Sequence, residues 1–286
     1  MSAMPELYEK TTFNASGFAI FGKVLDDQQV TAARAELTAM FNQPPDPSWG
    51  DSEMVRTHML ARYPKLREMI LQPKVMEPLH LLLGDKIALL PDNTATHSRY
   101  SGWHKDTHGF ERFGYNFHRA PDYVCAVTLI YLQDNDPELG GGLEVVPGSH
   151  KEEDRYRHQD NPATHGRSHK LGDPAYPKES FYMVPSHAGD LVVFNDKLDH
   201  AGRWPSTIPR PSNLYDAPPP PLPPEKRKFM FAMAAMPDNQ YVDQYMDYFN
   251  FLKTKFHEFK AMGRIGYSED VVAQARALGV RLLSHV

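Results

Sequence analysis

The chain has 286 residues, a formal net charge of −5 and a sequence pI near 6.3, long enough for two small domains or one large β or α/β domain with a full core. The acidic balance argues against nucleic acid or an anionic membrane as partner, since either requires a basic excess. A single cysteine, Cys125, excludes an intramolecular disulfide and fits a reducing compartment. It lies in a valine-rich run, which suits a buried small hydrophobe better than a nucleophile. The first residues are too acidic and too broken for a signal peptide, and no apolar run approaches the roughly 18 residues of a membrane span. These features predict a soluble, cytoplasmic protein with a small-molecule substrate.

Gly17 to Phe21 reads as a short strand, and Asp26 with Gln29 forms a capping box ahead of a helix carrying Val30, Ala33, Leu37 and Met40 on one face. Pro44-Pro45-Asp46-Pro47 ends it. A second amphipathic stretch holds Leu66, Met69, Ile70, Val75 and Leu79 and stops at Gly84. From residue 86 the pattern changes to short apolar runs between glycine, proline and Asn/Asp turns, the rhythm of an antiparallel sandwich or barrel. Strands are expected over Lys86–Leu90, Val124–Leu132, Leu143–Val146, Ser180–Val184 and Asp190–Phe194. The polar connection from His150 to Lys178 carries His158, His165 and His169, and the proline-rich segment around Pro218–Pro224 reads as a polyproline II insertion. A strand resumes over Arg227–Met233. Beyond it Tyr241, Tyr245, Tyr248, Phe249, Leu252, Phe256 and Phe259 recur at helical spacing. That face either packs on the chain's own core or forms a homodimer interface. A last helix is expected to hold Val272, Ala275, Leu278 and Leu282.

The chemistry concentrates in Trp103-His104-Lys105-Asp106. In an extended stretch alternate side chains share a face, so His104 and Asp106 point one way and Lys105 the other. One imidazole and one carboxylate make two-thirds of the facial 2-His-1-carboxylate triad of non-haem Fe(II) oxygenases. His200 has the context for the third ligand: it follows the turn and strand Gly189–Phe194 and precedes Ala201-Gly202, where the backbone can approach a ligand closely. His150, where a strand leaves through Pro147-Gly148, reads as structural.

Beyond this triad, the ordered blocks of the chain resemble the phytanoyl-CoA dioxygenase family of Fe(II)/2-oxoglutarate-dependent oxygenases. Gly17-Phe18 with Val24–Val30, then Trp103–Asp106, Tyr131–Asp134, Gly141–Glu144, Val146–His150 and the segment from Gly189 to Gly202 carry the resemblance. It implies a mostly β fold with flanking helices around a double-stranded β-helix (jelly-roll, cupin-like) core. Residues 1–286 would form one domain, with the core at about 86–236, N-terminal helices in 26–84 and C-terminal helices in 239–284. It further implies Fe(II), 2-oxoglutarate and O2, with hydroxylation of a C–H bond and release of succinate and CO2. Asp106 argues against halogenation, because related halogenases carry a small residue at that position.

The family also implies a basic residue for the distal carboxylate of 2-oxoglutarate, a task that suits the fork of arginine. Arg227, which opens a strand, is preferred; Arg210, at the usual spacing after the distal histidine, is the alternative, and Arg203 a weaker one. Thr128, polar within an apolar run, either faces the co-substrate or bonds to backbone. Arg99, Arg112, His118 and Arg119, interleaved with Phe110, Phe113, Tyr115 and Phe117, suggest a lid that binds a small, anionic substrate, the bland alternative being solvated surface charge. The competing functional class is a jelly-roll protein that binds a metal or ligand without catalysis.

Overall fold

The structure is a computed structural model that describes residues 3–136, 138–151, 181–211, 218, 220–223, 226–255 and 266–284. The chain opens with helix α1 (Ala3–Ser16), strand β1 (Phe18–Phe21) and helix α2 (Asp27–Phe41). Asp26 caps α2 as the sequence predicts: its carboxylate accepts from the Gln29 amide, and the Gln29 side chain accepts from the Asp26 amide. Val30, Ala33, Leu37 and Met40 are all buried. The second amphipathic stretch divides into α3 (Met59–Arg62), α4 (Pro64–Ile70) and α5 (Pro73–Leu83), because Pro64 and Pro73 each start a new helix.

Before and after these helices come two strands absent from the sequence reading, β2 (Val55–Thr57) and β4 (Thr94–His97), with β3 (Ile87–Leu89) between them. The remaining elements are α6 (His108–Arg112), β5 (Ala126–Tyr131), β6 (Leu143–Val145), β7 (Tyr182–Met183), β8 (Leu191–Asn195), β9 (His200–Gly202) and β10 (Phe229–Pro237), followed by α7 (Gln240–Lys255), α8 (Glu269–Ala277) and β11 (Val280–Leu282). The final helix is shorter than predicted. Leu282 lies instead on β11, which pairs in parallel with β3. Phe256, Phe259 and the histidines 158, 165 and 169 lie outside the described residues.

The architecture is a jelly roll: a large mixed sheet, β1-β8-β5-β10-β3-β11 with β4 and β2 added alongside β10, faces a small antiparallel sheet, β7-β6-β9. Alternation along the strands sorts the side chains into two layers. On the outer face Ile130, Leu191, Val193, Phe229, Phe231 and Ala235 join Leu37, Leu66, Ile70 and Leu79 from the helices in one core. On the inner face Leu129, Tyr131, Val192 and Phe194 meet Leu143 and Val145 of the small sheet. The aromatic face of α7 packs against this same chain, with Tyr241, Tyr248 and Leu252 buried beside Phe110, Phe117, Tyr123 and Cys125. Among the described residues no helix is long and apolar enough to cross a membrane.

Gly189 closes the turn before β8 with φ +88°, and a Cβ there would collide with the carbonyl of Leu25, whose amide donates to the Gly189 carbonyl at 3.1 Å. Gly189→Ala is therefore expected to lower the unfolding free energy by at least about 2 kcal/mol, through a strained backbone and a forced contact. Gly22→Ala, at an exposed site whose added Cβ meets only Asp190 Oδ1 at 3.8 Å, should stay within about 0.5 kcal/mol. Urea denaturation of both variants checks this.

Candidate metal centre and cavity

Two chain segments carry the three residues singled out above. His104 and His200 form an antiparallel bridge: the His104 amide donates to the His200 carbonyl at 2.9 Å, and the His200 amide returns the bond at 3.0 Å. The Asp106 amide then donates to the Asp196 carbonyl at 3.0 Å, which turns the chain so that the carboxylate meets the two imidazoles. His104 Nε2 lies 3.5 Å and His200 Nε2 3.9 Å from Asp106 Oδ1. All three ligand atoms fall within 4.8 Å of one another.

The tautomers are set by the backbone. His104 Nδ1 is 2.7 Å from the Gly102 carbonyl and His200 Nδ1 3.0 Å from the Leu198 carbonyl. A carbonyl only accepts, so each Nδ1 carries the proton and each Nε2 turns a lone pair toward the common point. Burial, reinforced by repulsion from His104, pushes the His200 imidazole down to about 4, so it is neutral and ready to ligate at neutral pH. For His104 burial acts downward too, but the hydrogen bond and charge of Asp106 outweigh it and raise the imidazole. The Asp106 carboxyl is lowered: burial would raise it, and His200 and His104 together prevail. A divalent cation at the common point would displace the proton that a charged His104 holds on Nε2 toward Asp106, and so free that lone pair for the metal. Two neutral-capable imidazoles, one carboxylate and fixed tautomers suit a first-row metal such as iron.

Behind the ligands a buried ion pair joins the same two segments. Lys105 and Asp199 are 4% and 0% exposed, with Lys105 Nζ 3.7 Å from Asp199 Oδ2. Ser149 links both, because its carbonyl accepts from Lys105 Nζ at 2.9 Å and its hydroxyl oxygen accepts from the Asp199 amide at 2.9 Å. The Pro-Gly-Ser-His turn thus anchors the ligand segments. His150 itself points away from the metal centre, with Nε2 3.3 Å from the Asn14 carbonyl.

The triad opens into a cavity of about 360 Å³ between the two sheets and α7. Its basic residues are Arg99 and Lys228. Lys228 is 4% exposed. Its ammonium donates to the Arg99 carbonyl at 3.3 Å and lies over the rings of Tyr100 and Tyr131 at 5.0 and 5.6 Å. Burial, then the charge of Arg99, push the Lys228 amine down to about 7. Among the described residues no carboxylate pairs with it.

The other predicted basic residues lie elsewhere. Arg227, one position before Lys228, is out of phase with the cavity face, and its charge instead depresses His97. Arg210 and Arg203 line an open groove with Glu144 and Trp204, in which none of the triad takes part. Thr128 faces the helices, fully buried, and its hydroxyl donates to the Met233 carbonyl at 3.1 Å. Arg119 and His118 both engage Glu111, and Arg112 stacks over Phe113 at 5.4 Å. Of the predicted lid cations only Arg99 reaches the cavity. Lys228 had a signal in the sequence: it is in phase with Met230, Ala232 and Ala234, whose mostly small side chains leave room on the inner face, whereas Phe229 and Phe231 fill the outer one.

A jelly roll holding two histidines and one aspartate at the base of an inter-sheet cavity is the class of protein that the fold and the site define. Residues 13–210 match the family described as phytanoyl-CoA dioxygenase (PhyH), and the chain belongs to that family. No curated protein matches the chain. Solved structures of similar fold include HygX from Streptomyces hygroscopicus with nickel and 2-oxoglutarate bound, 17% identical over 83% of this chain and 88% of that one, with a TM-score of 0.59. The α-ketoglutarate-dependent epimerase SnoN from nogalamycin biosynthesis is 16% identical, covers 82% of this chain and 84% of its own, and gives a TM-score of 0.57. AviO1 from Streptomyces viridochromogenes Tue57 is 19% identical over 83% and 97%, at 0.55. At these identities the likeness is one of fold.

The Lys105–Asp199 pair is expected to be costly to break from one side only. Asp199→Ala should lose about 3 kcal/mol or more in chemical denaturation, because a buried ammonium loses a carboxylate partner. The double substitution Lys105→Met with Asp199→Leu should recover most of that loss.

Proposed function

We propose that this protein is an Fe(II)- and 2-oxoglutarate-dependent oxygenase that hydroxylates a C–H bond of a small molecule. The observation that carries the reading is the convergence of His104 Nε2, Asp106 Oδ1 and His200 Nε2 on one point of a cavity that also holds a buried ammonium with no carboxylate partner among the described residues. Bound there, iron with 2-oxoglutarate and O2 supplies the oxidising power, with succinate and CO2 as co-products. The protein's own residues do the rest. The three residues would hold the metal from one side and leave it accessible from the cavity. The Lys228 ammonium, flanked by Arg99, receives the distal carboxylate of 2-oxoglutarate, the task that the sequence assigned to Arg227 or Arg210. Val127, Leu129 and Phe194 line the same space with apolar surface and exclude water from the reacting atoms. Retention of a carboxylate at Asp106 favours hydroxylation over halogen transfer. In this reading residues 1–286 act as one catalytic domain, since α7 walls the cavity and β11 completes the large sheet.

The reading is tested by succinate formation from 2-oxoglutarate with Fe(II) and ascorbate, which is expected to be abolished in His104→Ala. Lys228→Ala should raise the KM for 2-oxoglutarate by roughly 100-fold, the loss of one buried charge-assisted contact. The pH dependence has a definite sign. Lys228 is charged below about 7 and neutral above it. Apparent affinity for 2-oxoglutarate should therefore fall as pH rises past that value, and Lys228→Arg, permanently charged, should flatten the profile. An unchanged KM in Lys228→Ala would remove Lys228 from this role, and succinate formation that survives His104→Ala would contradict the metal assignment.

A further inference from the structure

The cavity that holds Lys228 and Arg99 also carries three carboxylates: Asp92, Asp106 and Asp196. Asp106 belongs to the metal centre. Asp196 does not, yet it is only 3% exposed. Its Oδ2 accepts from the Tyr123 hydroxyl at 2.6 Å, while its Oδ1 has no hydrogen-bond partner and is shut off from bulk water. Lys197 lies next to it in the chain, but the ammonium is directed over the Tyr123 ring at 5.6 Å and does not line the cavity. Asp92, near Arg99 on the wall, forms no ion pair with it among the described residues.

Around these carboxylates the wall is aromatic. Phe110 meets Tyr245 and Tyr248 edge-to-face, with centroids 6.0 and 4.7 Å apart, and all three rings line the cavity. Such a corner attracts cations through the ring faces, most strongly where water is excluded. The charge balance points the same way. A divalent metal and the dianion 2-oxoglutarate cancel each other, which leaves the carboxyls of Asp92, Asp106 and Asp196 beside Lys228 and Arg99. Burial pushes the Asp196 carboxyl up to about 7 and raises that of Asp92, and a cation seated between them would favour the ionised form of each. A buried carboxylate with an unpartnered oxygen, offset among the described residues only by the nearby charge of Lys197, is costly unless a ligand completes it.

We infer that the substrate is a monocation, an amine bound as its ammonium, seated with its N–H groups on Asp196 and Asp92 and its carbon skeleton against Phe110, Tyr245 and Tyr248. This rests on the oxygenase reading above and reverses the anionic substrate expected from the loop cations, of which His118 and Arg119 engage Glu111, Arg112 lies outside the cavity, and Arg99 stands beside Lys228 at the 2-oxoglutarate carboxylate. The Asp196 carboxylate, part of the cavity wall, acts as a positioning acceptor: it holds the nitrogen beside Asp106 and so places a neighbouring C–H bond at the metal.

The test uses the anaerobic protein loaded with Fe(II) and 2-oxoglutarate, titrated with phenethylamine, N-acetylphenethylamine and 3-phenylpropionate as cationic, neutral and anionic probes of similar skeleton. Calorimetry gives the affinities, and the visible charge-transfer band of the loaded centre reports whether the probe reaches it. The amine is expected to bind at least about tenfold tighter than either counterpart and to perturb the band. Asp196→Asn, which can still accept from Tyr123, and Asp92→Asn should each erode that preference by about tenfold and leave the acetamide unaffected. An amine that binds no better than the acetamide or the carboxylate overturns the inference, as does a preference that survives both substitutions. Failure of the band to form at all would count against the oxygenase reading, while calorimetry, which needs no turnover, would still decide the charge preference.

Discussion

Everything at the metal centre depends on one reciprocal pair of backbone hydrogen bonds, His104 with His200, made between residues almost a hundred positions apart in the chain. The pair fixes the register of two short segments, and register decides which face each side chain takes. A slip by one residue would turn Lys105 into the cavity and both His104 and Asp106 out of it. Lys105, Asp199 and Ser149 oppose such a slip, because their buried contacts are satisfied in a single alignment. The segments that present the ligands are thus held from behind by polar groups and from the side by β6, whose Val145 pairs with His200. Rigid ligand placement follows from long-range pairing rather than from the local motif.

The same alternation organises the cavity. On β10 the outer residues Phe229 and Phe231 seat the helices, while Lys228, Met230, Ala232 and Ala234 face inward. On β5 Ile130 packs outward, and Val127, Leu129 and Tyr131 face the ligand space. One sheet therefore supplies a core on one side and a binding surface on the other. The inner surface is electrically divided, with Lys228 and Arg99 set against Asp92, Asp106 and Asp196. Under the proposed function, that division would let one cavity order two different small molecules around a metal: an anion by its carboxylate and a cation by its nitrogen.

Much of this is legible in the sequence where the signal is local. The Asp26/Gln29 box, the buried face of α2, and strands β5 and β8 follow from capping chemistry and periodicity alone, and His104, Asp106 and His200 do meet. The parts that escape are set by pairing with distant chain. β4 is the polar run Thr94-Ala95-Thr96-His97, and it becomes a buried strand only because β10 and β2 flank it. Leu282 fits a helical period with Leu278, yet β3 offers the backbone a parallel partner. Arg227 and Lys228 look interchangeable in sequence. The phase of β10 separates them, and that phase is fixed by Phe229 and Phe231 meeting helices encoded nearly two hundred residues earlier. Arg112, His118 and Arg119 sit in a loop that looks like a lid, but Glu111 and Phe113 within that loop engage them.

The central claim is that His104, Asp106 and His200 together hold one iron, and metal stoichiometry tests it most directly. Anaerobic Fe(II) titration followed by removal of loosely bound metal should leave one ion per chain in the wild-type protein and none in His104→Ala, Asp106→Ala or His200→Ala, with circular dichroism expected to show each variant folded. Retention of one tightly bound ion by any of the three variants at wild-type affinity would contradict the account.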